Sequence, residues 1–144
     1  MPLFLGVDMG TSSLKACVIE GEGHTAARAK VPSETHSPAP GMYEVDGEAC
    51  WWRGFLSLCG EISRSVPLSD IAGICVSSVC GSFIPVDGEG RQTHNAILYG
   101  IDRRAVKQAE ELNEKYGPEL AARLGGSSTT HSVFPKILWL REHC

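Results

Sequence analysis

The sequence predicts a mixed α/β domain in which helices flank a β-sheet. Residues 3–7 and 14–19 are short apolar segments separated by a polar turn, a pattern typical of a β-hairpin. Residues 48–66 carry apolar side chains at helical spacing, and residues 71–77 form a nearly continuous apolar segment, as expected of a strand covered on both faces. With 144 residues, 42% of them apolar, the chain has the size and composition of one globular domain.

Composition excludes several classes of protein. The net charge of −4 argues against a broad nucleic-acid surface, which is usually basic. The apolar segment at the start of the chain is too short for a secretion signal, because it reaches the charged residue Asp8 after only a few residues. No segment is long and apolar enough to span a membrane. The six cysteines include no Cys-x-x-Cys pair and are interpreted as reduced thiols, so we expect a cytoplasmic protein. They are Cys17, Cys50, Cys59, Cys75, Cys80 and Cys144.

The turn of the first hairpin has the chemistry of an anion site. Asp8 ends the first apolar segment, Gly10 allows a close approach, and the hydroxyls of Thr11, Ser12 and Ser13 follow. Backbone N–H groups and hydroxyls at such a turn suit phosphate oxygens. The carboxylate of Asp8 could hold Mg²⁺ through water, because Mg²⁺ prefers oxygen ligands and loses its waters reluctantly.

Two well-known phosphate motifs do not fit this turn. A Walker A loop requires Gly-Lys-Ser/Thr and a following helix, whereas the next segment here resembles a strand. A dinucleotide fingerprint requires Gly-x-Gly-x-x-Gly at the start of a helix. An ordinary solvated hairpin remains the alternative.

The middle of the chain predicts one helix and two further strands. Residues 24–31 form a weak third strand, and residues 32–46 cross the surface irregularly. Asp46 is the expected N-cap of a helix over residues 48–66, with Trp51 and Trp52 expected to pack in the core, and Pro67 ends that helix. The two strands are residues 71–77 and 81–86, the second followed by a turn at residues 87–90. Residues 77–80, between these strands, form either a ligand crevice or a plain connecting turn.

The last third of the chain predicts three helices. Asp102 is a plausible N-cap for a helix that residues 117 and 118 terminate, and its apolar face carries Ala105, Ala109, Leu112 and Tyr116. A shorter helix covers residues 119–124, and Pro135 opens a last helix at its first position. This helix runs to Cys144 without a terminating signal, so we expect a longer natural chain, with a naturally short chain as the alternative.

Several stretches together resemble the N-terminal half of the FGGY carbohydrate kinases, and xylulose kinases in particular. The hairpin is similar to the phosphate motif shared by sugar kinases, hexokinase, Hsp70 and actin. The other matching stretches cover most of the chain in the family's order: Tyr43-Glu44-Val45-Asp46 followed by Trp51-Trp52, residues 71–78 through 87–90, residues 95–104, and Pro135-Lys136-Ile137-Leu138-Trp139-Leu140. Gly47 replaces the proline that usually follows the first of these.

The resemblance implies a ribonuclease H-like fold of the actin, hexokinase and Hsp70 type, present here as part of the first domain, over residues 1–144. It also implies ATP and Mg²⁺ as cofactors, a sugar or polyol as substrate, and no nucleic acid or membrane partner; a homodimer is left open. By position, the phosphates of ATP would contact Asp8, Gly10, Thr11, Ser12, Ser13 and Lys15, with Asp8 beside the metal. Lys15 has the alternative of being a solvent-facing strand lysine.

The sugar site implied by the resemblance is less well defined. Its residues would be Val79, Cys80, Gly81, Tyr99, Asp102 and His131. The first three depart from the Gln-Met-His-Gly of xylulose kinases and the Gln-Arg-Glu of glycerol kinases, which puts the identity of the sugar in doubt. Tyr99 stands where the family usually has tryptophan, and His131 has the alternative of being a solvated loop residue.

The implied reaction is transfer of the γ-phosphoryl group of ATP to a sugar hydroxyl, with a ketose such as xylulose favoured. The family's catalytic base and adenine pocket would lie beyond residue 144, so we expect these 144 residues alone to be inactive. One rival is a non-catalytic nucleotide- or sugar-binding regulatory module. A structural protein of the actin or Hsp70 type is a second rival, against which residues 95–104 and 135–140 argue.

Overall fold

The structure is a computed structural model that describes residues 1–144. The chain forms two units. Unit 1 comprises Met1–Thr35 and Val45–Val79, and unit 2 comprises His36–Glu44 and Cys80–Cys144. No helix in the chain combines the length and the apolar character needed to cross a bilayer.

Unit 1 contains a four-stranded sheet. Its strands are β1 (Leu3–Met9), β2 (Ser13–Glu20), β3 (Thr25–Pro32) and β5 (Ile71–Ser78), in the order β3-β2-β1-β5. The first three form an antiparallel meander, and β5 pairs with β1 in parallel. The mixed sheet and the predicted hairpin are therefore confirmed, with strands slightly longer than predicted.

A helix covers one face of this sheet. It begins with a π-helical turn, Gly47–Trp52, and continues as α1, Arg53–Ile62. The predicted N-cap is confirmed, because Asp46 accepts a hydrogen bond from the N–H of Ala49 at 2.9 Å. The core between α1 and the sheet uses alternate residues of the strands, as period-two packing requires. Its buried members are Leu5, Val7, Leu14, Ala16, Val18, Ala29, Leu58, Ile62 and Val66.

One expectation for unit 1 was wrong, and one is not met within residues 1–144. Trp52 is 52% exposed and does not lie in the core, and Trp51 is half-buried. The π-helical turn adds a residue to its turn, so the apolar face is rotated relative to that of an uninterrupted helix. The second concerns β5, whose apolar sequence predicted cover on both faces: within residues 1–144 it pairs only with β1 and leaves Ile74 and Val76 exposed.

Unit 2 is mainly helical. Its helices are α2 (Val106–Leu124) and α3 (Val133–His143), and its short strand β6 (Ala96–Ile97) pairs with β4 (Glu44–Val45). The predicted strand over residues 81–86 is wrong, because only single bridges join Phe83 to Ile97 and Val86 to Gln92. The predicted turn at residues 87–90 is present, closed by a bond from the N–H of Gly90 to the carbonyl of Asp87.

The helices of unit 2 also differ from the predicted ones at their ends. α2 begins at Val106 with Ala105 as N-cap, so Asp102 is not its cap. It continues through Pro118, which the sequence predicted to be part of a break, and ends at Gly125, whose φ of +77° gives a left-handed cap. α3 begins at Val133, which makes Pro135 its third residue and not its first. Proline is tolerated there because the first-turn N–H groups have no intrahelical acceptor.

Candidate functional site

The hairpin of unit 1 places a carboxylate and an ammonium beside its turn. Asp8 on β1 and Lys15 on β2 are cross-strand partners, and their Oδ2 and Nζ atoms lie 3.1 Å apart. About half of each side chain is exposed, at 50% for Asp8 and 53% for Lys15. The carboxylate can therefore be reached from solvent, and Lys15 adds a positive charge at the same place.

The turn is too tight for a side chain at Gly10. A Cβ on Gly10 would lie 2.8 Å from the carbonyl oxygen of Ser13, closer than such atoms approach. The glycine is therefore required by the close approach of the backbone across the turn. The hydroxyl residues Thr11 and Ser12 follow Gly10 in this turn.

Two carbonyl groups of the turn accept hydrogen bonds from the segment that follows β3. The carbonyl of Thr11 accepts from the Thr35 hydroxyl at 3.3 Å, and that of Ser12 accepts from the N–H of Ser33 at 3.2 Å. Cys50, on the π-helical turn, supports the same segment, because its Sγ lies 3.2 Å from the Ser33 hydroxyl. The turn is thus fixed through its acceptors, which leaves its donors for a ligand.

These groups fit the phosphates of a nucleotide and a hydrated Mg²⁺. Hydroxyls, turn N–H groups and an ammonium are the donors that phosphate oxygens need, and an exposed carboxylate is the ligand that Mg²⁺ prefers. Ser13, the first residue of β2, is only 8% exposed, whereas Thr11 is half-buried and Ser12 is exposed.

Unit 2 brings together three of the predicted sugar-site residues around one aromatic ring. The rings of Tyr99 and His131 lie 5.8 Å apart at an angle of 57°. Gly81 packs against the Tyr99 ring so closely that a Cβ on Gly81 would lie 2.5 Å from its Cδ2. Gly81 also has a φ of +83°, so both its space and its backbone conformation require glycine. Tyr99 itself is 44% exposed.

His131 carries an unpaired nitrogen at this place. Its Nδ1 is buried and has no hydrogen-bond partner. Buried polar atoms are nearly always paired, so an unpaired one beside an exposed aromatic ring is what a site for a hydroxyl-bearing ligand would show. Cys80 is exposed and next to Gly81, and Val79 is the half-buried last residue of unit 1.

Asp102 lies in a buried ionic network and not at a surface. Its side chain is fully buried, and its carboxylate accepts from the N–H of Tyr43 at 2.7 Å and from the Arg104 guanidinium at 2.9 Å. Arg104, equally buried, reaches Glu44 at 2.8 Å, and Asn95 donates to Glu44 at 3.1 Å. Pairing of all these groups offsets their desolvation. This burial weighs against direct contact of Asp102 with a sugar, which stays a prediction.

Lys136 is a buried residue of unit 2 to which the sequence assigned no role in the site. The side chain is fully buried on α3, and its Nζ donates to the carbonyl of Leu98 at 2.8 Å. Burial lowers the pKa of Lys136; the nearby negative charge of Asp102 opposes this shift and the positive charge of Arg104 adds to it. Two signals in the sequence pointed to it: a lysine in the first turn of an otherwise apolar helix segment, and its place in the family-like stretch of residues 135–140.

Comparison with known proteins gives a match over nearly the whole chain. The model of the N-terminal domain of the FGGY family of carbohydrate kinases matches residues 3–144. A xylulose kinase of Staphylococcus xylosus is 28% identical over 144 residues, covering 99% of this chain and 29% of that protein. A glycerol kinase of Thermococcus gammatolerans is 27% identical over 140 residues, covering 96% of this chain and 28% of that protein.

A solved structure agrees in fold. The xylulose kinase of Rhodospirillum rubrum superposes with a TM-score of 0.89 at 27% identity, covering 98% of this chain and 29% of that one. The fold is the ribonuclease H-like fold of the actin, hexokinase and Hsp70 type, present as part of a domain. The chain spans less than a third of the length of the relatives it matches.

Proposed function

The chain belongs to the FGGY family of carbohydrate kinases, and on that premise we propose that the protein phosphorylates a hydroxyl of a sugar or polyol with ATP. A ketose such as xylulose is the favoured substrate, because xylulose kinases are among the relatives that match nearly the whole chain. Residues 1–144 would form the N-terminal part of the first domain. The observation that carries the proposal is the family match over residues 3–144, together with the donor-rich hairpin turn at its start.

The hairpin is proposed to hold the phosphates. Thr11, Ser12 and Ser13 would donate to phosphate oxygens, while Gly10 allows the backbone of the turn to approach them. Lys15 would neutralise phosphate charge, and its ion pair with Asp8 keeps it at the turn before a ligand arrives. Phosphoryl transfer depends mainly on positioning and on neutralisation of charge, and these residues supply both.

Asp8 is proposed to hold the metal. Its half-exposed carboxylate is an oxygen ligand at the edge of the phosphate turn, suited to Mg²⁺ that keeps part of its water shell. When bound, Mg²⁺ supplies charge neutralisation on the transferred phosphoryl group. The pairing of Lys15 with Asp8 means that metal binding would release Lys15 toward the phosphates.

Unit 2 is proposed to hold the sugar. The exposed ring of Tyr99 offers an apolar wall, and the unpaired Nδ1 of His131 offers a hydrogen-bonding group for a hydroxyl. Cys80 and Gly81 complete the residues of unit 2 assigned to this site, and the assignment of Val79 rests on the family resemblance alone. Asp102 would act by holding Arg104 and the Tyr43 backbone, since its oxygens are already bonded.

The location we propose is the cytoplasm, because all six cysteines carry free thiols, the usual state in a reducing compartment. The general base that accepts the proton of the sugar hydroxyl is not among the residues assigned above.

The proposal is tested by ATP consumption. The full-length protein that contains these residues is assayed with Mg²⁺ and a panel of ketoses, aldoses and polyols. Turnover with one or a few of them, dependent on Mg²⁺, is the expected result. Measurable ATP binding without turnover on any sugar would contradict it and favour a regulatory module.

The role of Asp8 is tested in the same assay. Removing a group that acts on developing charge typically lowers turnover by about 100-fold or more, and we expect this of Asp8→Ala. Asp70→Ala is the matched control, because Asp70 is an exposed carboxylate of the same unit whose side chain bonds its neighbour Ser69, away from the hairpin turn. Near-normal turnover of Asp8→Ala would remove the metal assignment.

A further inference from the structure

The peptide unit between Leu98 and Tyr99 is held on both of its edges. Its carbonyl, from Leu98, accepts from the Lys136 ammonium at 2.8 Å. Its N–H, from Tyr99, donates to the Ser82 hydroxyl at 2.9 Å. The two holding side chains come from α3 and from the segment after Gly81, which are far apart in sequence. A peptide plane fixed at both ends fixes the backbone from which the Tyr99 side chain leaves.

A lysine is an unfavourable residue for this bond, because its ammonium group must be removed from water. Transfer of an ammonium from water to the protein interior is strongly unfavourable unless the ammonium is well paired. Lys136 is fully buried and donates a hydrogen bond to the Leu98 carbonyl, and Asp102 is a negative charge that favours its ammonium form. A methionine would fill the same space at less cost, so packing alone does not account for a lysine here.

The two bonds from Lys136 and Ser82 form a clamp on the Leu98–Tyr99 peptide, and this clamp also affects the surroundings of the Tyr99 ring. Ser82 follows Gly81, whose backbone lies against the ring, so the Ser82 bond holds both the residue that packs on Tyr99 and the Tyr99 peptide. Lys136 lies five residues after His131, on the helix that begins just after it. The two bonds therefore hold the Tyr99 peptide together with the segment that packs on the Tyr99 ring.

We propose that Lys136 and Ser82 are positioning residues that set the orientation of the Tyr99 ring for binding of the sugar. This inference rests on the proposed function, since it takes Tyr99 as a wall of the sugar site. Neither residue contacts the substrate; each acts through Tyr99. Their loss should therefore weaken sugar binding and leave ATP binding and the chemical step largely intact.

The first test is Ser82→Ala, because it removes one hydrogen bond without leaving a buried charge. Loss of a neutral hydrogen bond corresponds to about a fivefold effect, and we expect a rise of that size in KM for the sugar. The values of kcat and of KM for ATP should stay within about twofold, as for an interaction that contributes equally to binding of the ground state and of the transition state. Ser82→Thr, which keeps the hydroxyl, should restore the sugar KM. Ser37→Ala is the control, because Ser37 is an exposed serine of the same unit bonded only to the carbonyl of Ala39.

The second test separates positioning from general damage. In a Tyr99→Ala background, Ser82→Ala should have no further effect on the sugar KM, because the ring through which Ser82 acts is gone. Lys136→Met should raise the sugar KM in the same way, by more than Ser82→Ala, since its bond is charge-assisted. An unchanged sugar KM in Ser82→Ala, or an equal rise with and without Tyr99, would overturn the proposal.

Hydrogen exchange of the Tyr99 amide gives a readout that does not depend on activity. The amide should be protected in the wild-type protein and should exchange faster in Ser82→Ala, and an unprotected amide in the wild type would overturn the clamp. A protein without kinase activity in which Ser82→Ala still exposes this amide would show that the clamp exists and that the proposed function is wrong.

Discussion

At Gly10 the hairpin turn has no room for even one additional carbon atom. Gly10→Ala would place a Cβ 2.8 Å from the backbone oxygen of Ser13, and backbone on both sides must move to relieve the contact. We expect a loss of about 1–3 kcal/mol in the free energy of unfolding, as for other overpacked sites, and weaker ATP binding because the turn donors are displaced. Urea unfolding and nucleotide titration measure the two effects.

Gly21→Ala is the matched control for Gly10. Gly21 lies in the next turn of the same meander, and a Cβ on it would have no neighbouring atom within 4 Å, so its substitution should leave ATP affinity unchanged. Equal effects of the two substitutions on ATP affinity would mean that the hairpin turn is not a phosphate site.

His131 offers the second prediction at this scale. Its buried, unpaired Nδ1 lies beside the Tyr99 ring, so a sugar hydroxyl that bonds to it would satisfy both groups. His131→Ala should raise the sugar KM about five- to tenfold and leave KM for ATP unchanged. His24→Ala, in the exposed turn before β3, is the control. An unchanged sugar KM in His131→Ala would make His131 an ordinary loop residue.

Residues that depend on distant partners are the ones that sequence reasoning missed or misassigned. Asp102 has the sequence context of an N-cap, yet it bonds the N–H of Tyr43, 59 residues away, and the paired Arg104 reaches Glu44 across 60 residues. Lys136 bonds Leu98 across 38 residues. Rules that relate a residue to its sequence neighbours cannot identify partners so far apart in the chain. The proximity of Asp8 and Lys15 was easier to predict, because a hairpin pairs residues that are seven positions apart in sequence.

At the scale of elements, α1 packs on the sheet through a glycine. A Cβ on Gly54 would lie 2.9 Å from a methyl group of Leu14 and 3.6 Å from one of Val31. Leu14 is fully buried, so it can move only if the core around it moves. The close approach of helix to sheet at this point therefore depends on the missing side chain.

The same helix contains a natural control, Gly60, which has no neighbouring atom within 4 Å of a Cβ position. Gly60→Ala should stabilise the protein by about 0.5–1 kcal/mol, because alanine is the better helix former. Gly54→Ala has the same propensity gain but forces Leu14 out of place, and we expect a net loss of about 1 kcal/mol. Thermal unfolding of the two variants should shift in opposite directions, and a shift in the same direction would show that Leu14 can move at little cost.

Elements were predictable where local chemistry alone determines them. The hairpin and the third strand follow from short segments separated by turns, the Asp46 cap follows from its side chain, and all are present. The strand over residues 81–86 is absent because Gly81 has a positive φ and packs on Tyr99, a tertiary requirement. α2 continues through Pro118, where proline cannot donate to the preceding turn, so flanking helical residues outweigh that loss.

At the scale of these 144 residues, β5 is the strand whose apolar sequence is not matched by a covered position. Its apolar composition is typical of a strand covered on both faces. In the structure it pairs with β1 alone, and Ile74 and Val76 are 57% and 59% exposed. An apolar strand with an unpaired edge is a template on which a second chain can pair.

We therefore expect the 144-residue chain to associate through β5. Val76→Lys places a charge on that strand, and sedimentation velocity should show less self-association at equal concentration. Because Val76 is mostly exposed, the substitution should change the free energy of unfolding by no more than about 0.5 kcal/mol. Leu124→Lys is the control, since Leu124 is 74% exposed at the end of α2 and adds the same charge away from the sheet. If both variants reduce association equally, net charge is the cause; if neither does, the edge of β5 is not the contact.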